Sequence, residues 1–183
     1  MTRDEALALL HSYTPSENLR KHAYAVEAAM RAYARRFAGD EERWALVGLL
    51  HDFDYERWPD PPDHTREGAK LLRERGVDEE IVKAILSHAE WNEIPRDTRL
   101  KQALFAVDEL CGFVTAVALV RPSRQLADVQ VSSVKKKMKD KAFARSVKRE
   151  DITEGAALLG VSVDEHIATV ITAMQSVSES LGL

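Results

Sequence analysis

The stretch Leu49-Leu50-His51-Asp52-Phe53-Asp54 constrains the chain most, because an apolar helical pattern runs there into a segment that breaks helices. Trp44, Val47, Gly48 and His51 follow the i, i+3, i+4, i+7 spacing of a buried helical stripe. After Asp54 the run Tyr-Glu-Arg-Trp-Pro-Asp-Pro-Pro-Asp cannot continue a helix. Neighbouring helical residues point about 100° apart, so an adjacent His and Asp need a helix end or a distortion to face one target. An imidazole and a carboxylate held at a buried helix end suit a hard or borderline metal. Two residues do not complete such a site, and the other ligands must come from elsewhere in the chain.

Apolar residues at helical spacing, bounded by caps and glycines, account for the rest of the sequence, and no strand alternation interrupts them. The expected fold class is therefore all-α. A short helix covers Arg3 to His11. Thr14-Pro15-Ser16-Glu17 reads as the capped start of a second, which carries Leu19, His22, Val26, Met30, Tyr33 and Phe37 on one face before Gly39. Asp40-Glu41-Glu42 caps the helix that ends at His51. His64 opens a helix running to Gly76, and in the next one Ile81, Ile85 and His88 share a face. A lone histidine on such a face is ordinarily a core residue, but their number weakens that reading. The longest helix spans Thr98 to Val120 with Leu100, Leu104, Asp108, Cys111 and Thr115 on one stripe. A carboxylate amid that stripe costs several kcal/mol unless it is paired, protonated or bound to metal.

With 183 residues, 45% of them hydrophobic and 31% charged, the chain suits one domain over 1–183 with its own core. Residues 13–120 are expected to hold the metal-binding part and 121–183 a helical extension packed on it. Cys111 is the single cysteine, so no internal disulfide forms, and the N-terminus lacks a signal-like apolar stretch. Both point to the cytoplasm. The apolar run from Leu110 to Val120 is too short for a bilayer span. A net charge of −4 gives the whole molecule no affinity for nucleic acid or anionic membrane. Charge is nonetheless uneven: Arg121 to Glu150 holds ten Lys/Arg against three Asp/Glu. Val131 to Arg145 reads as a basic helix, either a solvated face or a positive rim for an anionic substrate. Ser162 to Glu165 forms a second capping box, opening a last helix to about Leu181, while His11 and His166 fall in surface or structural places.

The ordered set His22, His51-Asp52, His64, His88 and Asp108 resembles the HD-domain superfamily of metal-dependent phosphohydrolases, over Leu19 to Val120. Beyond Val120, Val-Arg-Pro-Ser and Ser-Val-Lys-Lys-Lys-Met-Lys-Asp-Lys resemble a bacterial subgroup of HD hydrolases. The resemblance implies that His22, His51, Asp52 and Asp108 hold a first divalent ion. His64 and His88 would complete a second site, with Asp52 as bridge. The ions could be one or two of Mn, Fe, Co, Ni, Zn or Mg. It implies hydrolysis of a small phosphoester, a nucleotide first among them, by a metal-activated hydroxide, with Asp52, His51, His64 and His88 as the catalytic group. Lys135, Lys136, Lys137 and Lys139, with Lys83 and Arg66, are the expected phosphate-binding cations. The loop Phe53 to Asp63 and the segment after Pro122 are the expected pocket walls. The same ligands serve HD-type di-iron oxygenases, for which Tyr24 and Glu27 would be gating candidates, and a silent nucleotide-sensing module is a third reading. The helical exterior would suit a homodimer.

Overall fold

Polar caps start most of the elements seen in the computed structural model, which describes residues 1–183. Thr2 and Glu5 form a reciprocal capping box that opens α1 (Arg3–Tyr13). The next helix, α2 (Glu17–Arg36), departs from expectation at its start. Ser16 is the cap residue, and the buried Thr14 donates its hydroxyl to the Phe53 carbonyl at 2.9 Å. Asp40 accepts from the N–H groups of Glu42 and Arg43 to start α3 (Glu41–Leu50). There follow α4 (Asp63–Glu74), α5 (Glu79–Leu86), capped by Asp78, and α6 (Arg99–Leu119), capped by Thr98. The chain ends with α7 (Val131–Met138), α8 (Arg149–Leu159), α9 (Val163–Gln175) and α10 (Ser178–Leu181). The fold is all-α, as the periodicity implied.

Three of these boundaries differ from the sequence reading. The basic helix stops at Met138, and residues up to Ser146 form turns in which Arg149 donates to the carbonyls of Ala144, Val147 and Phe143. Ser162 caps α9, but Glu165 turns outward to Arg36 and closes no reciprocal box. The last helix breaks after Gln175 and resumes only as α10.

α6 is the axis of the core. It packs on α2, α5, α8, α9 and α7, and Leu104, Val107, Leu110, Phe113 and Val114 are fully buried along it. At 21 residues it is long and apolar enough to cross a membrane, longer than its most apolar run suggested, yet most of it is enclosed by the other helices. Val134, Ile152, Leu159, Ile167, Val170 and Met174, all beyond residue 120, join the same apolar cluster as the first six helices.

A close crossing joins α2 and α3. A Cβ built on Gly48 would lie 2.9 Å from the Val26 carbonyl oxygen and 3.0 Å from the Glu27 Cα, so only glycine lets these backbones meet. That approach brings His22 on α2 beside His51 at the end of α3. On the far side of α2, His166 is fully buried between the Tyr33 hydroxyl (2.6 Å) and the Ala106 carbonyl (2.9 Å). Burial pushes its imidazole down to about 4, so it is a neutral structural residue.

Candidate metal centre

Five elements deliver six candidate ligand side chains to one place. His22 stands on α2. His51 keeps helical geometry as the C-cap of α3, and a turn after it, closed by Tyr55 N–H to the Asp52 carbonyl, re-aims Asp52. His64 lies at a break in α4, where it is extended (ψ 135°) and Thr65 takes φ +69°. A β-branched residue in that region is strained. Asn92 restrains it, donating from Nδ2 to Thr65 Oγ1 at 2.7 Å. His88 follows the C-cap of α5, and Asp108 comes from the middle of α6.

The six side chains form two triads, His22, His51 and Asp108 in one and Asp52, His64 and His88 in the other, and within each the ligand atoms lie within 4.8 Å of one another. His22 Nε2 is 3.0 Å from Asp108 Oδ1, and His51 Nε2 is 3.5 Å from the same oxygen. His64 Nε2 and His88 Nε2 are each 3.2 Å from Asp52 Oδ1, while Asp52 Oδ2 faces His51 Nε2 at 3.5 Å. The two oxygens of Asp52 thus face different triads. Both carboxylates keep about a quarter of their side-chain surface open.

The far nitrogens decide how the rings present themselves. His51 Nδ1 meets the Gly48 carbonyl at 2.8 Å and His88 Nδ1 the Ile85 carbonyl at 2.6 Å, so in both the N–H points outward and the Nε2 lone pair inward. His64 Nδ1 faces Asp54 Oδ1 at 3.0 Å, and Asp54 Oδ2 accepts the Gly68 N–H at 2.9 Å. These are the outer contacts that metal-binding imidazoles use. Asp54 was not among the sequence candidates, although its place two residues after Asp52 was a visible signal.

His51 Nε2 is fully buried and has no hydrogen-bond partner. A buried, unsatisfied imidazole nitrogen between two carboxylates fits a cation, and nitrogen with carboxylate oxygen is a donor set for Mn, Fe, Co, Ni or Zn. Electrostatics agree. Burial disfavours the charged form of each group, yet at His51 the carboxylates of Asp52 and Asp108 outweigh it and push the imidazole up to about 9. At His64 burial is likewise outweighed, by Asp52 and Asp54, again giving about 9. Asp52 and Asp108 are held far below the carboxylate range by the surrounding imidazoles. A divalent cation among these groups would take the electrostatic place of such protons.

Residues 19–156 match the family model of the HD domain. The chain belongs to the HD domain family. The match runs past Val120, where the sequence resemblance in the ligand set ended, and takes in α7 and most of α8. No solved structure matches the chain.

Two cavities open on this HD centre. One, of about 160 Å³, reaches His88 and Asp108 between Trp91, Phe105, Glu109 and Lys148. The other, of about 320 Å³, reaches His22 between Asn18, Lys21, Thr115, Leu119 and Leu181. Glu109 in the first is pushed up to about 7, by burial and then by the charge of Asp108.

The cations expected at the phosphate are not in either cavity. Lys135 pairs with Asp164 at 2.6 Å, and with Lys136 and Lys139 it lines a separate hollow over α7. Lys137 lies over the Phe143 ring at 4.5 Å. Lys83 is exposed on α5, and Arg66 donates to Asn92 Oδ1 at 3.1 Å. The basic run stays away because α7 docks through the buried Val134 onto α6 and α9, leaving its lysines outside. Tyr24 bonds to His11, and Glu27 is buried with Arg3 and Arg31, in a hollow bordered by none of the six candidate metal-binding side chains. From the loop Phe53 to Asp63, Phe53 and Asp54 point inward and Tyr55 meets His64; the cavity walls come from residues 88–96, 105–119 and 148–151, and from 18–22 and 181–183.

Proposed function

We propose that this HD centre hydrolyses a phosphomonoester or phosphodiester of a small molecule, with a nucleotide as the leading candidate. The observation that carries the reading is the convergence of four imidazole Nε2 atoms, the unpartnered one of His51 among them, with two carboxylates. Divalent ions, when bound, polarise a phosphoryl oxygen and lower the pKa of water near it. His22, His51 and Asp108 would hold one ion and His64 and His88 another, with Asp52 serving both through its two oxygens. Asp54 keeps His64 aimed inward and raises its basicity. Lys21 lines the cavity that ends on His22, and its pair with Glu17 is an i,i+4 surface contact weak enough to give way to a phosphoryl oxygen. The nearby Cys111 does not compete with water as nucleophile: it is buried and its thiol is pushed well above its usual range by burial.

The test is metal analysis of the purified protein, then phosphate release from nucleotides and generic phosphoesters with Mn, Fe, Co, Ni, Zn or Mg, followed alongside O₂ uptake. Release with at least one ion, lost in Asp52→Ala while helix content by circular dichroism is unchanged, is the expected result. O₂ uptake by the iron form without phosphate release would replace this reading with an oxygenase, and inertness with every ion with a sensing module.

A further inference from the structure

Only four large apolar side chains are exposed on the molecule, and two of them, Tyr55 (40%) and Trp91 (38%), sit against the same ligand. Their ring centroids lie 5.1 Å and 5.8 Å from that of His64. Exposed aromatic surface at the rim of a metal centre marks a binding surface. Trp91 also walls the cavity of about 160 Å³ that ends on His88 and Asp108. The short turn Glu90–Asn92 that carries it is tied down on three sides. Asn92 Nδ2 donates to Thr65 Oγ1 and to the Leu86 carbonyl at 2.9 Å, and Asn92 Oδ1 accepts from Arg66. The indole is therefore presented from a fixed support, so little ordering is needed when a ligand docks.

Acidic side chains outnumber cations in the rest of this cavity. Arg96 lies 3.7 Å over the Phe105 ring and donates to the carbonyls of Ser87 and His88. Lys148 faces Glu90 at 3.5 Å. Glu90 and Asp151, with the ligand Asp108, are hydrogen-bond acceptors that would repel a phosphate, and Glu109, pushed up to about 7, joins that wall as it ionises. Cavities of roughly 150 Å³ accept one six-membered ring, here the amino-bearing ring of a base, with the sugar-bearing five-membered ring of a purine left at the open mouth.

Building on the phosphohydrolase reading, we propose that this cavity holds the leaving-group end of the substrate, a nucleobase with an exocyclic amino group, stacked on Trp91 with its N–H edge turned to Glu109 and Asp151. Stacking on an indole is available to every base. The acceptor wall supplies the choice. The amino groups of cytosine and adenine donate to a carboxylate, whereas uracil and thymine present a carbonyl oxygen at the equivalent place. Phosphate then lies over the ligands, with Lys21 on its other side.

The experiment is calorimetric titration of the Mn-loaded protein with methylenephosphonate analogues of CMP, AMP and UMP, whose P–C bond resists hydrolysis. The cytosine and adenine analogues are expected to bind about tenfold tighter than the uracil analogue. Trp91→Ala should cost them about tenfold and Trp91→Phe much less, because a phenyl ring still stacks. Glu109→Gln, whose amide also donates, should narrow the gap between cytosine and uracil, and Val120→Ser, in neither cavity, should change nothing. Equal binding of the three analogues, no binding of any, or an unaltered Trp91→Ala would overturn the proposal. The two readings fail separately. If Trp91→Ala lowers turnover of CMP and of β-glycerophosphate by the same factor, the base pocket is wrong while hydrolysis stands. If no phosphoester is cleaved yet the binding pattern appears, the pocket stands and hydrolysis falls.

Discussion

Replacing Gly48 with Ala tests whether one close helix crossing sets the geometry of the whole centre. The added methyl would lie 2.9 Å from the Val26 carbonyl oxygen and 3.0 Å from the Glu27 N and Cα, all backbone atoms of α2 that cannot swing aside. Ordinary contacts begin at 3.4 Å, so α2 and α3 must part by about 0.5 Å or more. Overpacking of this kind costs about 1–3 kcal/mol, against a gain of up to about 1 kcal/mol in helix propensity. The net loss of up to about 2 kcal/mol lowers Tm by about 2–4 °C for each kcal/mol in a chain of this size. The same movement separates His22 from His51, whose rings are 5.2 Å apart, and disturbs the Gly48 carbonyl that orients His51. Ligand distances tolerate only about 0.2 Å, so Mn affinity should fall by about tenfold or more. Urea denaturation and calorimetry measure both effects. Gly112→Ala is the control: its Cβ meets nothing within 4 Å, and it should stabilise α6 by up to about 1 kcal/mol. A Gly48→Ala protein with unchanged stability and Mn affinity would refute the reasoning.

Asp54→Asn should weaken Mn binding about 10–100-fold by calorimetry, since it removes the charge that supports His64 and leaves the helices intact. His51 and His64, raised to about 9, hold protons that an ion must displace, so Mn affinity should rise with pH between about 6.5 and 9, with proton release detected by titration in buffers of different ionisation enthalpy. By the same linkage these raised values stabilise the chelated protein fully below about pH 6.5, and its Tm should fall as pH climbs through 9. His166, depressed to about 4, acts in the opposite direction. The unfolded chain binds a proton below about pH 6.5 that the folded chain refuses, so stability present above that pH should drop by about 3 kcal/mol near pH 4, and His166→Gln should show a shallower slope in urea denaturation.

Most of the six candidate ligands stood out in the sequence because a polar residue there breaks a rule of burial. His22, His88 and Asp108 sit on faces otherwise filled by Val, Ile and Leu, and His51 with Asp52 meets a proline-rich stop. Contacts distant in sequence were not legible. Nothing near Thr65 signals a positive φ, because the restraint comes from Asn92, 27 residues away. Thr14 has the composition of a cap, but its hydroxyl is taken by Phe53 across the fold. The lysine run from Lys135 to Lys139 advertised an anion site by composition alone, and its position followed from which face of α7 docks. Trp91 lies in a turn without periodicity, so its exposure beside His64 emerged only in three dimensions.

The central claim is a centre of two triads joined through Asp52, and metal stoichiometry tests it most directly. Equilibrium dialysis with Mn, read by elemental analysis, should give about two ions per chain for the wild type. Asp108→Ala should retain about one, on His64, His88 and Asp52, and Asp52→Ala should retain none with its helix content preserved. An Asp52→Ala protein that binds as many ions as the wild type would contradict the account.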